Sequence, residues 1–181
     1  MKILAFAGSN SSRSINKQLV THVMTYFKEA EVELVDLNDY EMPIFSVDRE
    51  SKDGIPVAAL DFAAKIDEAD LIVCSLAEHN GAYTAAFKNI LDWVSRISGR
   101  KVWNDKPMFV MATSTGARGG SSVLEIATTR MPFNGGKVLE KFSLPSFNNN
   151  FSIEDGIVDE QLKSALELKI QSVKTQLAKL I

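Results

Sequence analysis

The sequence predicts an α/β protein, a five-stranded parallel sheet with helices on both faces. Three observations carry this. Runs that are apolar throughout, such as Ile3-Leu4-Ala5-Phe6-Ala7 and Leu71-Ile72-Val73-Cys74, fit strands buried on both faces. Segments with apolar residues at helical spacing lie between them. The two patterns alternate along the chain, and βαβα alternation builds a parallel sheet covered by helices.

The elements follow in order. Ile3 to Ala7 ends at Gly8, and Leu19, Val20, Val23, Met24 and Phe27 predict a first helix to about Glu29. Val32, Leu34, Val35 and Leu37 suggest a second strand. Leu60, Phe62, Ala63 and Ile66 suggest a second helix, and Asp70 to Leu76 a third strand. Ala85 to Ile97 reads as a helix with Phe87, Ile90, Leu91 and Val94 on one face. Pro107 to Thr113 is a fourth strand, Val123 to Met131 a helix, Lys137 to Leu144 a fifth strand, and Glu160 to Leu180 a closing helix. Asn38 to Pro56, with Pro43 and Gly54, and Pro145 to Gly156, with Asn148-Asn149-Asn150, read as loops. Neither has linker composition, so residues 1–181 are expected to form one domain.

Composition narrows the function. A chain of 181 residues hides roughly 70% of its unfolded surface, enough for a core without disulfides or metals. The formal net charge of -3 argues against nucleic acid as partner, since phosphate-backbone binders carry a basic excess. Cys74 is the sole cysteine, which fits a reducing compartment. The apolar start is too short for a signal segment, and no apolar run approaches the ~20 residues that span a bilayer. A cytoplasmic protein without a membrane partner is expected.

In an open parallel sheet, ligands bind beyond the carboxyl ends of the strands, where strand order reverses. Three loops there are rich in small polar residues. The first, Ser9-Asn10-Ser11-Ser12-Arg13-Ser14-Ile15-Asn16, holds four serines and two asparagines in eight positions. A capped turn explains one or two of them; hydroxyls and free N–H groups at a helix N-terminus make an anion site. No Gly-Lys-Ser/Thr follows and there is no GxGxxG, so neither a P-loop nor a dinucleotide fingerprint is present. The second loop is Ala77-Glu78-His79-Asn80-Gly81-Ala82, and the third Thr113-Ser114-Thr115-Gly116-Ala117-Arg118-Gly119-Gly120. Glycines there let backbone approach a flat ligand. Two histidines and one cysteine make no metal constellation, and Gly-x-Ser-x-Gly is absent. Cys74, mid-strand among apolar residues, reads as a structural thiol. His22 reads as structural, and Lys88 and Asp92 as an exposed helix pair. Arg118 is either a solvated charge or a contact for an anionic group.

At these loops the sequence resembles the NADPH-dependent FMN reductases, relatives of bacterial quinone, azo-dye and chromate reductases. Their first loop, Gly-Ser-x-Arg-x-x-Ser-x-Asn, is matched by Gly8, Ser9, Ser14 and Asn16, with Ser11 in place of the arginine. Their Pro-Glu-Tyr-Asn-Gly is matched by Glu78, Asn80 and Gly81, with Ala77 and His79 at the other places, and Lys88-Asn89-Ile90-Leu91-Asp92-Trp93 follows at the family's spacing. Their Ser-x-Gly-x-x-Gly-Gly is Ser114 to Gly120. The likeness covers residues 1 to about 145.

The resemblance implies a flavodoxin-like fold with strand order 2-1-3-4-5, and FMN as cofactor. Its phosphate would lie on Ser9, Ser11, Ser14 and Asn16 with the Ile15 backbone. The isoalloxazine would lie between Ala77, Glu78, His79, Asn80 and Gly81 on one side and Ser114, Thr115, Gly116 and Gly119 on the other, with a second-loop N–H near N5. His79 is then either at the ring edge, at a dimer seam or solvated. Hydride would come from NADPH or NADH, and electrons would go to flavin, quinone or a similar small acceptor. The cofactor carries the chemistry, so no catalytic side chain is assigned. A flavodoxin-type electron carrier and a non-catalytic flavin-binding module are the alternatives. Flavodoxins carry Ser/Thr-x-Thr-Gly-x-Thr in the first loop and a strongly acidic surface, and this chain has neither. A binding module would stay yellow when NADPH is added. A homodimer, or dimer of dimers, is expected through the helix from Ala85, with Trp93 pointing away from its core face.

Overall fold

The computed structural model describes residues 1–180. Numbering only the strands of the main sheet, these are β1 (Lys2–Gly8), β2 (Glu31–Val35), β3 (Leu71–Leu76), β4 (Pro107–Thr113) and β5 (Lys137–Leu144). They pair in parallel in the spatial order β2-β1-β3-β4-β5, as the family resemblance implied. The chain steps outward from β1 to β2, then returns to place β3 on the other side of β1. The loops after β1 and β3 therefore diverge above one crevice, where such sheets take ligands.

The uninterrupted apolar runs are explained by two cores. Leu4, Phe6, Ile72, Cys74, Met108 and Val110 face one layer, with Phe62, Ile66, Phe87 and Val123 from helices. Their neighbours Ile3, Ala5, Leu71, Val73, Phe109 and Met111 face the other, with Leu19, Val23, Leu166 and Ile170. Successive strand side chains point to opposite faces, so a strand covered on both sides has no polar position to spare. Each large side chain so buried contributes about 1.5–3 kcal/mol.

The helices are α1 (Ile15–Met24), α2 (Val47–Asp53), α3 (Val57–Glu68), α4 (Ala85–Val94), α5 (Ser121–Arg130), α6 (Phe147–Asn150) and α7 (Glu160–Leu177). Four expectations need correction. The first helix stops at Met24 and not near Glu29; Tyr26 and Phe27 donate instead to the carbonyls of Val23 and Met24, and Phe27 reaches the core from this tighter turn. The stretch from Asn38 to Pro56 contains α2, capped by Ser46 and ended by Gly54 at φ 75°. No residue of α2 is buried, so it carries no apolar period to read. The stretch from Pro145 to Gly156 likewise contains α6 and a small hairpin, Phe151–Ser152 with Gly156–Ile157. Leu60, read as part of the buried stripe of α3, is exposed.

Trp93 also sits differently from its expected place. It is 1% exposed, with its indole N–H donating to the Pro43 carbonyl at 2.7 Å and its ring edge-on to Phe45. Phe87, Ile90, Leu91 and Val94 of the same helix are buried too, so α4 has no spare apolar face and the premise of a dimer through it falls. Asn89 completes the attachment. Its Oδ1 accepts from Phe45 N–H at 2.8 Å, and its Nδ2 donates to the carbonyls of Met42 and Pro43 at 3.2 and 3.1 Å. Segment 42–45 is thereby fastened to α4.

On the opposite layer, His22 of α1 wedges against the hairpin. Its ring stands edge-on to Tyr26 and Phe151. A Cβ on Gly156 would lie 2.0 Å from its Cε1, so only glycine leaves room. Nε2 has no partner among the described residues. Burial, and secondarily Lys163, lowers the His22 pKa, so the native state favours neutral imidazole. Its contribution is complete above the ordinary histidine pKa of about 6.5 and is lost as pH falls below that value. Urea midpoints measured at about pH 7.5 and about pH 5.5 should show wild type weakening with acid and His22→Phe weakening less.

Candidate functional site

The carboxyl ends of β3 and β4 are joined by one buried side chain from the helix that follows β1. Asn16, in the first turn of α1, accepts from Ser75 Oγ at 2.7 Å and from the Thr113 N–H at 3.0 Å, and donates to the Thr113 carbonyl at 3.1 Å. Thr113 Oγ1 in turn donates to the Leu144 carbonyl at 2.7 Å. The resemblance put the Asn16 side chain on a phosphate; here it is committed to the sheet and only 2% exposed. What it leaves for a ligand is chiefly its backbone N–H, which, like that of Ile15, has no intrahelical acceptor in the first turn.

The hydroxyls of the first loop are arranged differently. Ser9 Oγ accepts from Ser11 N–H, Ser11 Oγ from Arg13 N–H, and Ser14 Oγ from Lys17 N–H as the N-cap of α1. Each oxygen is anchored, and none of the three hydroxyl hydrogens has an acceptor among the described residues. A set of oriented donors at a helix N-terminus suits an anion.

The second loop is a hairpin. Glu78 and His79 pair with Tyr83 and Ala82, and Asn80 and Gly81 turn between them at φ 51° and 77°. Positive φ at both central positions is the type I′ geometry that Asn-Gly favours. Asn-Gly was in plain view in the sequence, and the turn alone accounts for both residues. Glu78 has a role that spacing did not reveal: its Oε2 accepts from the Val123 N–H at 2.9 Å. The N-cap of α5 is Gly120, which offers no side-chain cap, so Glu78 supplies the anion there. Thr84 caps α4 and donates to the Gly8 carbonyl at 3.0 Å.

The third loop is held from behind. Ser146 N–H donates to the Gly116 carbonyl at 2.9 Å, and Phe147 N–H to that of Ser114 at 3.0 Å. Gly119 lies on this supported side: a Cβ there would come 2.4 Å from Ser143 Oγ. Gly116 is the reverse case, with an ordinary φ and only Ser114 Oγ, at 3.9 Å, near a Cβ.

The structure brings ten of the expected residues around one cleft of about 260 Å³: Ser9, Ser11, Ser14, Ile15, Asn16, Ala77, Glu78, His79, Ser114 and Thr115. Asn80, Gly81, Gly116 and Gly119 are not in its lining. Arg13 and Thr113 are, and sequence reasoning assigned neither; Thr113, a buried threonine closing an apolar strand, carried a visible signal. Two groups stand away from this chemistry. Cys74 is fully buried within β3, and burial pushes its thiol up. Tyr83, packed on Phe87, is pushed up to about 12, mainly by burial. Among the described residues no cluster of three or more metal-ligating side chains occurs.

Comparisons with known proteins agree with this architecture. The family model for NADPH-dependent FMN reductase matches residues 1–149. An NADPH:quinone oxidoreductase from Arabidopsis thaliana is 29% identical over 185 residues, covering 96% of this chain and 90% of that protein. A 2-hydroxy-1,4-benzoquinone reductase from Burkholderia is 33% identical over 119 residues; the alignment covers 66% of this chain and 63% of that protein. Among solved structures, FerB, a flavoenzyme NAD(P)H:(acceptor) oxidoreductase from Paracoccus denitrificans, superposes with a TM-score of 0.73 at 21% identity, over 96% of this chain and 97% of that one. That likeness is one of fold. With the family model spanning the sheet and all three loops, the chain belongs to the NADPH-dependent FMN reductase family.

Proposed function

We propose that the chain works as an NAD(P)H-dependent FMN oxidoreductase that reduces a flavin, a quinone or a similar small acceptor. The observation that carries this reading is the first loop: three anchored serine hydroxyls with free hydrogens at the N-terminus of α1. The N-terminus of α5 is taken by Glu78, and the hydroxyl hydrogen of Thr84, which caps α4, is spent on the Gly8 carbonyl. A phosphate is therefore drawn to α1, where the dipole and the N–H groups of Ile15 and Asn16 add to the hydroxyls.

The residues fit FMN. Ser9, Ser11 and Ser14 would donate to the phosphate, and Arg13, which lines the cleft, would supply the cation that the family carries at the place of Ser11. At about 260 Å³ the cleft is below the usual range for a whole small-molecule site. It suits the phosphate end, with the ring laid out against the backbone of Ala77–His79 and Ser114–Gly116. When bound, FMN accepts hydride from a nicotinamide and passes electrons on. The protein's part is to hold that ring still on two braced loops. Donor and acceptor would use this one crevice in turn. The sole cysteine, buried, supports work in a reducing compartment, the cytoplasm. Exposed Val47, Val57 and Phe133 support a homodimer or dimer of dimers formed away from α4. One flavin-binding domain would then suffice for the reaction.

Three outcomes test this. Ser9→Ala with Ser11→Ala should weaken FMN roughly 10- to 100-fold per hydroxyl, since a hydrogen bond to a charged group is worth about 1.5–3 kcal/mol. Riboflavin, which has no phosphate, should be almost unaffected in the same titration. Gly116→Val should leave the unfolding free energy from urea titration unchanged to within about 0.5 kcal/mol yet purify without the flavin absorbance band; normal flavin content would place the ring elsewhere. Initial rates with a quinone at several fixed concentrations should give parallel double-reciprocal lines against the nicotinamide. Intersecting lines would mean separate sites, and no nicotinamide oxidation by FMN-loaded protein would leave only a binding role.

A further inference from the structure

A second concavity, of about 310 Å³, opens between residues 37–44 and the first turn of α4. Taking the cleft as the flavin site, we propose that this groove receives the adenosine half of the reductant with its ribose 2′-hydroxyl free. NADH would then be preferred to NADPH.

Placement comes first. Ser9 and Ser11 line the cleft, while Asn10 between them lines the groove. The two hollows are thus the two sides of one loop, and a ligand seated in the cleft need only cross that loop. The groove is near the lower end of the size range for small-molecule sites, which matches a nucleoside and not a whole dinucleotide.

Its walls are set in advance. Segment 42–45 is fastened to α4 by the three Asn89 bonds and the Trp93 indole. The Tyr40 ring is held edge-on to Phe62 at 5.1 Å. A preformed wall lowers the ordering cost of binding.

The chemistry then selects the ligand. Asn10, Tyr40 and Glu41 line the groove, and their side-chain polar groups have no hydrogen-bond or ion-pair partner among the described residues. A free carboxamide can pair with the edge of adenine, a phenol ring can lie against a base, and a carboxylate suits a ribose diol as it does in dinucleotide sites. No lysine or arginine lines the groove, and the cations around it are engaged: Arg49 donates to the Ile44 carbonyl, Lys65, near Tyr40, pairs with Glu33, and Lys17 pairs with Asp36. A ribose 2′-phosphate would bring a charge of about −1.5 to −2 toward Glu41, with no uncommitted cation lining the groove to receive it.

The test uses FMN-loaded protein without oxygen and follows flavin bleaching with NADH, NADPH and dihydronicotinamide mononucleotide. The mononucleotide lacks adenosine and gives each protein's reference rate. Relative to it, wild type should favour NADH over NADPH by about tenfold or more in the second-order rate constant. Glu41→Arg should narrow or reverse that ratio, because an arginine accommodates the 2′-phosphate. In flavin-free protein, ADP-ribose should perturb the Asn10 side-chain amide signals in the NMR spectrum, and 2′-phospho-ADP-ribose should do so only in Glu41→Arg. A wild-type preference for NADPH, a ratio indifferent to Glu41→Arg, or a preference removed by Arg118→Ala overturns the proposal. The last result would put the adenosine beside the third loop. Failure of all three donors, the mononucleotide included, overturns the flavin reading and this one with it.

Discussion

The carboxamide of Asn16 makes three hydrogen bonds, to Ser75 and twice to Thr113, and the geometry of the crevice follows from them. They fix the start of α1 to the ends of two strands at the place where the sheet reverses its order. Removing any partner leaves buried polar atoms unsatisfied, at about 1–3 kcal/mol each. The first loop inherits its position from this junction, because Ser14 caps the helix that Asn16 anchors. Hydroxyl donors are useful to an anion only if they do not need to be reorganised, and the junction removes that need.

A second constraint is the competition among helix N-termini at the same edge. Three helices, α1, α4 and α5, begin near it, and each start is a weak anion site. The chain satisfies two of them internally, with Thr84 and with the Glu78 carboxylate. At α1 the Ser14 cap keeps its hydroxyl hydrogen free, whereas that of Thr84 is spent on the Gly8 carbonyl, so selectivity among similar positions arises from which donors the protein has already used. The Glu78 contact has a mechanical side as well. It braces the Glu78–Tyr83 hairpin against α5.

Much of this was legible beforehand, for definite reasons. The strands were readable because burial on two faces demands unbroken apolar runs, and β4 and β5 have the bounds that their runs suggest. The three loops were readable because small polar residues are costly to explain as mere turns when they cluster. What escaped depended on partners distant in the chain. Nothing near Asn16 in the sequence says that Thr113, 97 positions away, will occupy its amide. Trp93 looked like surplus apolar surface because segment 42–45, which covers it, has no regular pattern. The α2 helix was invisible to periodicity because it buries nothing, although Ser46 and Gly54 mark its ends. The Asn80-Gly81 turn is different: its signal was present, and the lure of a ligand loop obscured a simple hairpin.

The third loop draws its firmness from beyond itself. Behind Ser114 stands Phe147, whose ring stacks on Phe151 at 4.7 Å, and Phe151 in turn meets His22 against Gly156. This column crosses residue 149, where the match to the family model ends. Part of the third loop's backing thus lies beyond the residues that the family model matches. Substitutions at Phe151 or Gly156 would alter the stiffness of one wall of the cleft while all three loop motifs stayed intact.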